Sequence, residues 1–305
     1  MASTQSSGLN LDVFAMLLHT AEPHKRGRTA LHVAAAAGQL EACRLLLDRG
    51  AKHARDFDGK TPLHFAAENG RRDICEMLLD RGAQHLCTPR FYDTPLTLAA
   101  ENGHTDVCEM IIDRGIDEEV DSLISVMTCA ISKHHVDIAR LVLTKVEPHV
   151  LHDFGTTPLH HAVRVRDWEI CNLLLDFGAP QLRDLDGTTP LHIAVEHGDY
   201  RICELLLDRG AEQVPDRNGV TPLYYAIVRN HMAVCKLLIN RGARLDTRAS
   251  GWSPLAFADH LGLTDMHLLL VAGGAQAESS SPSPRDRLRI RVLSDEYTGD
   301  SAVCA

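Results

Sequence analysis

Nine cysteines and 18 histidines in 305 residues make metal binding and nucleophilic catalysis the first questions to ask of this chain. Zinc is held by ligand pairs about two to four residues apart, so that one loop presents both to the ion. Cys43, Cys75, Cys108, Cys171, Cys203 and Cys235 instead recur singly at one position of a leucine-rich context. There a thiol packs as a small buried hydrophobe. Cys87, Cys129 and Cys304 fall outside that register, and only Cys304 is expected to be exposed. His134-His135, just after Cys129, is the best ligand cluster, but no second cysteine lies near it, and it reads as a solvent-facing helix end. Gly59-Lys60-Thr61 imitates the end of a phosphate loop, yet Ala54 stands where the leading glycine must be, so no cradle forms. The chain has neither a Gly-x-Ser-x-Gly elbow nor a His-Glu-x-x-His helix. No catalytic residue, metal or cofactor is therefore expected, and the chain is not read as an enzyme.

Composition narrows the remaining classes. Hydrophobic residues make up 45% and aromatics 5%, which supports a helical core and argues against an aromatic-rich β-sandwich. The 31 basic residues against 41 acidic ones give a net charge of −10, so partners presenting a phosphate backbone are disfavoured. No apolar run approaches the roughly 18 residues of a membrane span. The polar start, Met1 to Asn10, does not read as a secretory signal. Unpaired cysteines then suggest a reducing, cytoplasmic setting, with the nucleus left open.

What organises the sequence is a period. Thr61-Pro62-Leu63-His64 returns as Thr157-Pro158-Leu159-His160 and Thr189-Pro190-Leu191-His192. Related tetrapeptides begin at Thr29, Thr94, Thr221 and Ser253, and a degraded one begins at Ser125. First residues at 29, 61, 94, 125, 157, 189, 221 and 253 stand 31 to 33 apart. Such a period is the signature of stacked supersecondary units. Each unit opens on a turn such as Asp58-Gly59, and threonine then serves as helix N-cap with proline in the first helical turn. A short alanine-rich helix ends at a glycine, as at Gly70, Gly103 or Gly198. The second helix carries apolar residues such as Ile202, Cys203, Leu206 and Leu207, and stops at Asp208-Arg209-Gly210-Ala211.

The tetrapeptides, the small residues Ala66, Ala99, Ala162, Ala194 and Ala226, and the Leu-Leu-Leu-Asp-x-Gly-Ala endings resemble the ankyrin repeat family. The resemblance implies an all-α ankyrin-repeat solenoid over residues 9–275. It would comprise stacked helix-turn-helix units with β-hairpin fingers: an N-terminal capping half-repeat near Leu9 to Thr20, then about eight repeats. It also implies that His32, His64, His160 and His192 make structural hydrogen bonds. Residues 1–8 and the Ser/Pro/Arg-containing tail 276–305 are expected to be disordered, with Ser281 and Ser283 open to proline-directed phosphorylation. The fourth unit lacks the Thr-Pro signal and a turn glycine, and either altered curvature or simple drift accounts for it.

In this family the finger tips and first-helix ends line a concave groove. Carried over by position, the tips are Phe57, Asp58, Lys60, Phe91, Tyr92, Phe154, Leu185 and Trp252. The helix ends are Glu68, Asn69, Glu101, Asn102, Arg164, Glu196 and Arg229. The aromatic tips either anchor a ligand or pack on neighbouring fingers. The resemblance implies a monomeric scaffold, or an inhibitor that masks its partner, binding one or more proteins through the groove. The alternative is a regulatory adaptor whose tail recruits a second factor. Membrane and nucleic-acid partners are not expected.

Overall fold

The computed structural model describes residues 26–83, 88, 93–115, 120–146, 155–249 and 251–276. The half-repeat at Leu9 to Thr20, the tips Phe91, Tyr92 and Phe154, and the tail from residue 277 on, with Ser281 and Ser283, lie outside them. The chain divides into two compact units, Met1–Glu147 and Pro148–Ala305.

In the first unit the helices are α1 (Ala30–Ala37), α2 (Leu40–Asp48), α3 (Pro62–Glu68), α4 (Arg72–Asp80), α5 (Pro95–Glu101), α6 (Thr105–Asp113), α7 (Val120–Ser132) and α8 (Val136–Leu143). The odd-numbered first helices stack on one another, as do the even-numbered second helices, and each first helix packs on its own second helix. The second unit repeats the plan with α9 (Pro158–Arg164), α10 (Trp168–Asp176), α11 (Pro190–Glu196), α12 (Tyr200–Asp208), α13 (Pro222–Val228), α14 (Met232–Asn240), α15 (Pro254–His260) and α16 (Thr264–Ala272). The only β-bridge among the described residues joins Ala249 and Trp252. The fold is all-α, an ankyrin-repeat solenoid. No helix among the described residues is long and apolar enough to cross a membrane.

The tetrapeptide builds the start of each first helix. Thr61 is the extended N-cap of α3, and His64 folds back so that its Nδ1 accepts the Thr61 N–H at 3.0 Å. The same closure occurs at Thr29 with His32, Thr157 with His160, and Thr189 with His192. An Nδ1 that accepts leaves the proton on Nε2, which reaches the next repeat: His32 to the Lys60 carbonyl at 3.1 Å, and His160 to Thr188 at 3.2 Å. Burial lowers the pKa of the His32, His160 and His192 rings, which favours this neutral form. The residue that closes each first helix takes the left-handed conformation: a glycine in five repeats, with φ of 65° at Gly70 and 77° at Gly103, and His134, Arg166 and Asn230, at φ 55° to 60°, in the other three.

The six cysteines of the register are buried, and burial pushes the thiols of Cys43, Cys75, Cys108, Cys203 and Cys235 up to about 12. The fourth repeat departs from the others. α7 spans 13 residues where α3 and α5 span 7, because neither a threonine cap nor a proline fixes its start. Thr128, at the position of the folded-back histidine, donates its hydroxyl to the Ile124 carbonyl at 3.0 Å, a bond made inside a running helix.

Candidate functional site

Three described fingers, those leading into α3, α11 and α13, are organised by an aspartate two residues ahead of the turn that the sequence marks. Asp56 Oδ1 accepts the N–H groups of Asp58 (3.0 Å) and Lys60 (2.9 Å). Asp184 does the same for Asp186 and Thr188, and Asp216 for Asn218 and Val220. These bonds fix the backbone of the tip. Backbone contacts then tie finger to finger within a unit: Phe57 N–H donates to the Arg26 carbonyl at 3.0 Å, and Arg217 N–H to Asp186, also at 3.0 Å. Nothing in the residue types alone marks Asp56, Asp184 or Asp216, since aspartate is common in loops. Their shared offset from the tetrapeptide is the usable signal.

Two tips expose large apolar side chains. Phe57 is 78% exposed and Leu185 52%. The Phe57 ring also lies against the preceding finger: a Cβ on Gly27 would stand 2.6 Å from its Cδ1. Ring contact and exposure therefore coexist, with one face on Gly27 and the other in water. Asp58 and Lys60 are half-buried. Trp252 departs from the expectation of an exposed tip. It is buried, its ring centroid 4.8 Å from that of His260, and its carbonyl accepts the Tyr224 hydroxyl at 2.6 Å. Pairing with Ala249 and capture by Tyr224 draw this residue inward, so it is core rather than surface.

The first-helix ends gather charge within each unit. In the first, Lys60 Nζ pairs with Glu68 at 3.1 Å, and Lys133 with Glu101 at 3.5 Å. Burial raises the Asp93 carboxyl above its usual range; Lys60 opposes the shift while Glu101 and Glu68 add to it, so all four share one electrostatic neighbourhood. Asn69 and Asn102 are exposed, but each donates its side-chain amide to its own helix, at Phe65 and Leu98 respectively (both 2.8 Å). In the second unit Arg229 pairs with Glu196 at 2.9 Å. Burial lowers the His197 imidazole; Glu196 opposes this, while Arg166, exposed Arg164 and Arg229 reinforce it. Carboxylates thus outnumber cations around Asp93, and guanidinium groups dominate around His197.

Two further ladders went unread in the sequence. His104 donates Nε2–H to the Glu68 carbonyl (3.1 Å), His135 to Glu101 (3.3 Å) and His231 to Glu196 (3.1 Å). Each ring lies on the left-handed glycine of the preceding repeat, so a Cβ on Gly70, Gly103 or Gly198 would come within 2.8 Å of it. His135 therefore serves the backbone of the preceding repeat. On the second helices Arg81 pairs with Asp48, Arg114 with Asp80, Arg209 with Asp176 and Arg241 with Asp208, at 2.6 to 2.8 Å. Exposed pairs of this kind add little stability one by one, but they register one repeat on the next.

Comparison with curated proteins finds no match. A family model described as ankyrin repeats, in three copies, matches residues 1–89, 126–216 and 211–280, and a single ankyrin repeat model matches 92–122. Capped first helices, left-handed glycines and the matched segments agree across the chain, which belongs to the ankyrin repeat family.

Proposed function

We propose that the chain is a non-catalytic recognition module that holds a partner protein against its finger tips and first-helix ends, as a scaffold or as an inhibitor by masking. Ankyrin repeats are in general protein–protein interaction modules and typically non-catalytic. The observation that carries the reading is Phe57, an aromatic 78% exposed on a backbone pinned by its own hydrogen bond to Arg26. A pre-positioned aromatic loses little freedom on binding, which is why such residues dominate interface energetics. Leu185 offers the second unit a smaller apolar tip.

Charge supplies register. The carboxylates around Asp93 favour a basic stretch of partner on the first unit, and the arginines around His197 favour an acidic one on the second. Complementarity of this kind directs encounter and selects among partners more than it adds affinity. We read the protein as monomeric and cytoplasmic, with access to the nucleus open. The test is affinity capture and mass spectrometry with a variant carrying alanine at Phe57, Phe91, Tyr92 and Phe154. Loss of captured partners with an unchanged unfolding midpoint supports the reading. An unchanged partner set on an intact fold overturns it.

A further inference from the structure

Solenoid ends are ordinarily polar on their outer face, because no further repeat covers them. α16 does not follow that rule. Leu268 is 65% exposed and Val271 47%, and three residues apart they are neighbours on one helix face. The opposite side of α16 is the packed one, with Met266 and Leu270 buried. Residues 251–276 contain no lysine or arginine; the aspartates 259 and 265 are their only carboxylates, both exposed, with Asp259 hydrogen-bonded to His267.

The chain leaves this face at close range. Gly274, at φ 100°, donates to the Val271 carbonyl at 3.0 Å and Ala275 to Leu270 at 2.9 Å, a turn that ends the helix beside Val271. Further along the sequence Leu288, Ile290 and Val292 alternate with Arg289 and Arg291, after Arg285 and Arg287. Were this segment extended, Leu288, Ile290 and Val292 would share one face and the arginines the other, as alternate residues do. The twelve steps from Gln276 to Leu288 span about 20 Å as a flexible coil and about 40 Å fully extended. A nine-residue helix such as α16 is about 13 Å long, so the intervening chain is long enough to bring the segment to the exposed face.

We propose that residues 288–292 fold back over Leu268 and Val271, so that the chain supplies its own C-terminal cap. Leu288, Ile290 and Val292 meet the apolar face. The arginines stay in water, within a Debye length of Asp259 and Asp265, where their charge holds the segment close. A tail engaged in this way is withdrawn from other partners until it is released.

Hydrogen exchange of the full chain, read by mass spectrometry, tests the cap from both sides. With Leu288→Asp, Ile290→Asp and Val292→Asp combined, the amides of residues 264–272 are expected to exchange at least tenfold faster. With Leu268→Asp and Val271→Asp combined, residues 288–293 are expected to lose protection. The tail variant leaves the repeats intact, so it remains decisive should the helix variant fold poorly. Exchange at residues 264–272 within twofold of the parent in the tail variant overturns the proposal. So does protection in the parent that disappears on dilution, which would assign the face to a second copy of the chain.

Discussion

His192 donates its Nε2–H to the carbonyl of Val220, 3.3 Å away in the following repeat, while its Nδ1 accepts the N–H of Thr189 at 3.1 Å. The two bonds together specify the neutral ring with its proton on Nε2, because a protonated Nδ1 would face the Thr189 N–H donor. His32 and His160 repeat the arrangement.

Stability is therefore expected to depend on pH through these rings. Their folded-state pKa values are lowered by burial from an ordinary value of 6.5, so below that pH the unfolded chain binds more protons than the folded one. Stability is full above about pH 6.5 and is lost as pH falls toward the folded values. The slope contributed by each histidine is bounded by about 1.4 kcal/mol per pH unit. Urea unfolding at pH 7.5 and 5.5 measures it, and His160→Gln should lower stability at pH 7.5 while flattening the dependence.

Tyr224 takes the histidine's place in the seventh repeat and reaches the equivalent carbonyl, that of Trp252, at 2.6 Å, as well as Thr247 at 2.8 Å. Tyr224→Phe removes that donor from a buried site and is expected to cost about 1–2 kcal/mol. The check is an unfolding midpoint that drops without a change in helical signal.

Gly198 and Gly210 both have positive φ, 67° and 81°, but different surroundings. A Cβ at Gly198 would stand 2.7 Å from the His231 ring, whereas one at Gly210 meets nothing within 4 Å. Gly210→Ala carries only the left-handed penalty, roughly 1 kcal/mol. Gly198→Ala should cost about 2–3 kcal/mol, since the ring that holds the Glu196 carbonyl must also move. Equal losses in denaturant titrations would refute the ring-on-glycine account.

The buried thiols should be inert. With Cys75, Cys108 and Cys203 pushed up to about 12, almost no thiolate exists at pH 8 in the folded chain. Peptide mapping after brief iodoacetamide treatment should find these three unmodified, and labelled only once urea unfolds the chain. Modification of Cys108 under native conditions would contradict its burial.

The sequence made the local chemistry legible and left the contacts between repeats hidden. Threonine caps, first-turn prolines and left-handed glycines are decided within a few residues, so the period and the helix starts could be read directly. The Arg81–Asp48 rung and the seating of His104 on Gly70 join residues more than 30 positions apart. They emerge only when one repeat is laid over the next. His134-His135 illustrates the difference: adjacent histidines suggest a ligand pair, yet His135 serves the Glu101 carbonyl. Trp252 was misplaced for the same reason, because the Tyr224 hydroxyl that holds its carbonyl belongs to another repeat. Of the candidate site, residue types and charges were readable from register, but the pairing of Lys60 with Glu68 and of Arg229 with Glu196 was not.

The arginine–aspartate rungs also constrain how such a chain can change length. Arg209 reaches Asp176 and Arg241 reaches Asp208, each 33 residues back, so donor and acceptor are copies of the same two positions in successive repeats. Excising or duplicating one whole repeat inside a unit returns every rung to an equivalent partner. Adding or losing a few residues within a second helix turns the arginine away from its aspartate and rotates the buried cysteine out of the core with it. Length is thus quantised: such a chain can grow or shrink by whole repeats far more readily than by parts of one.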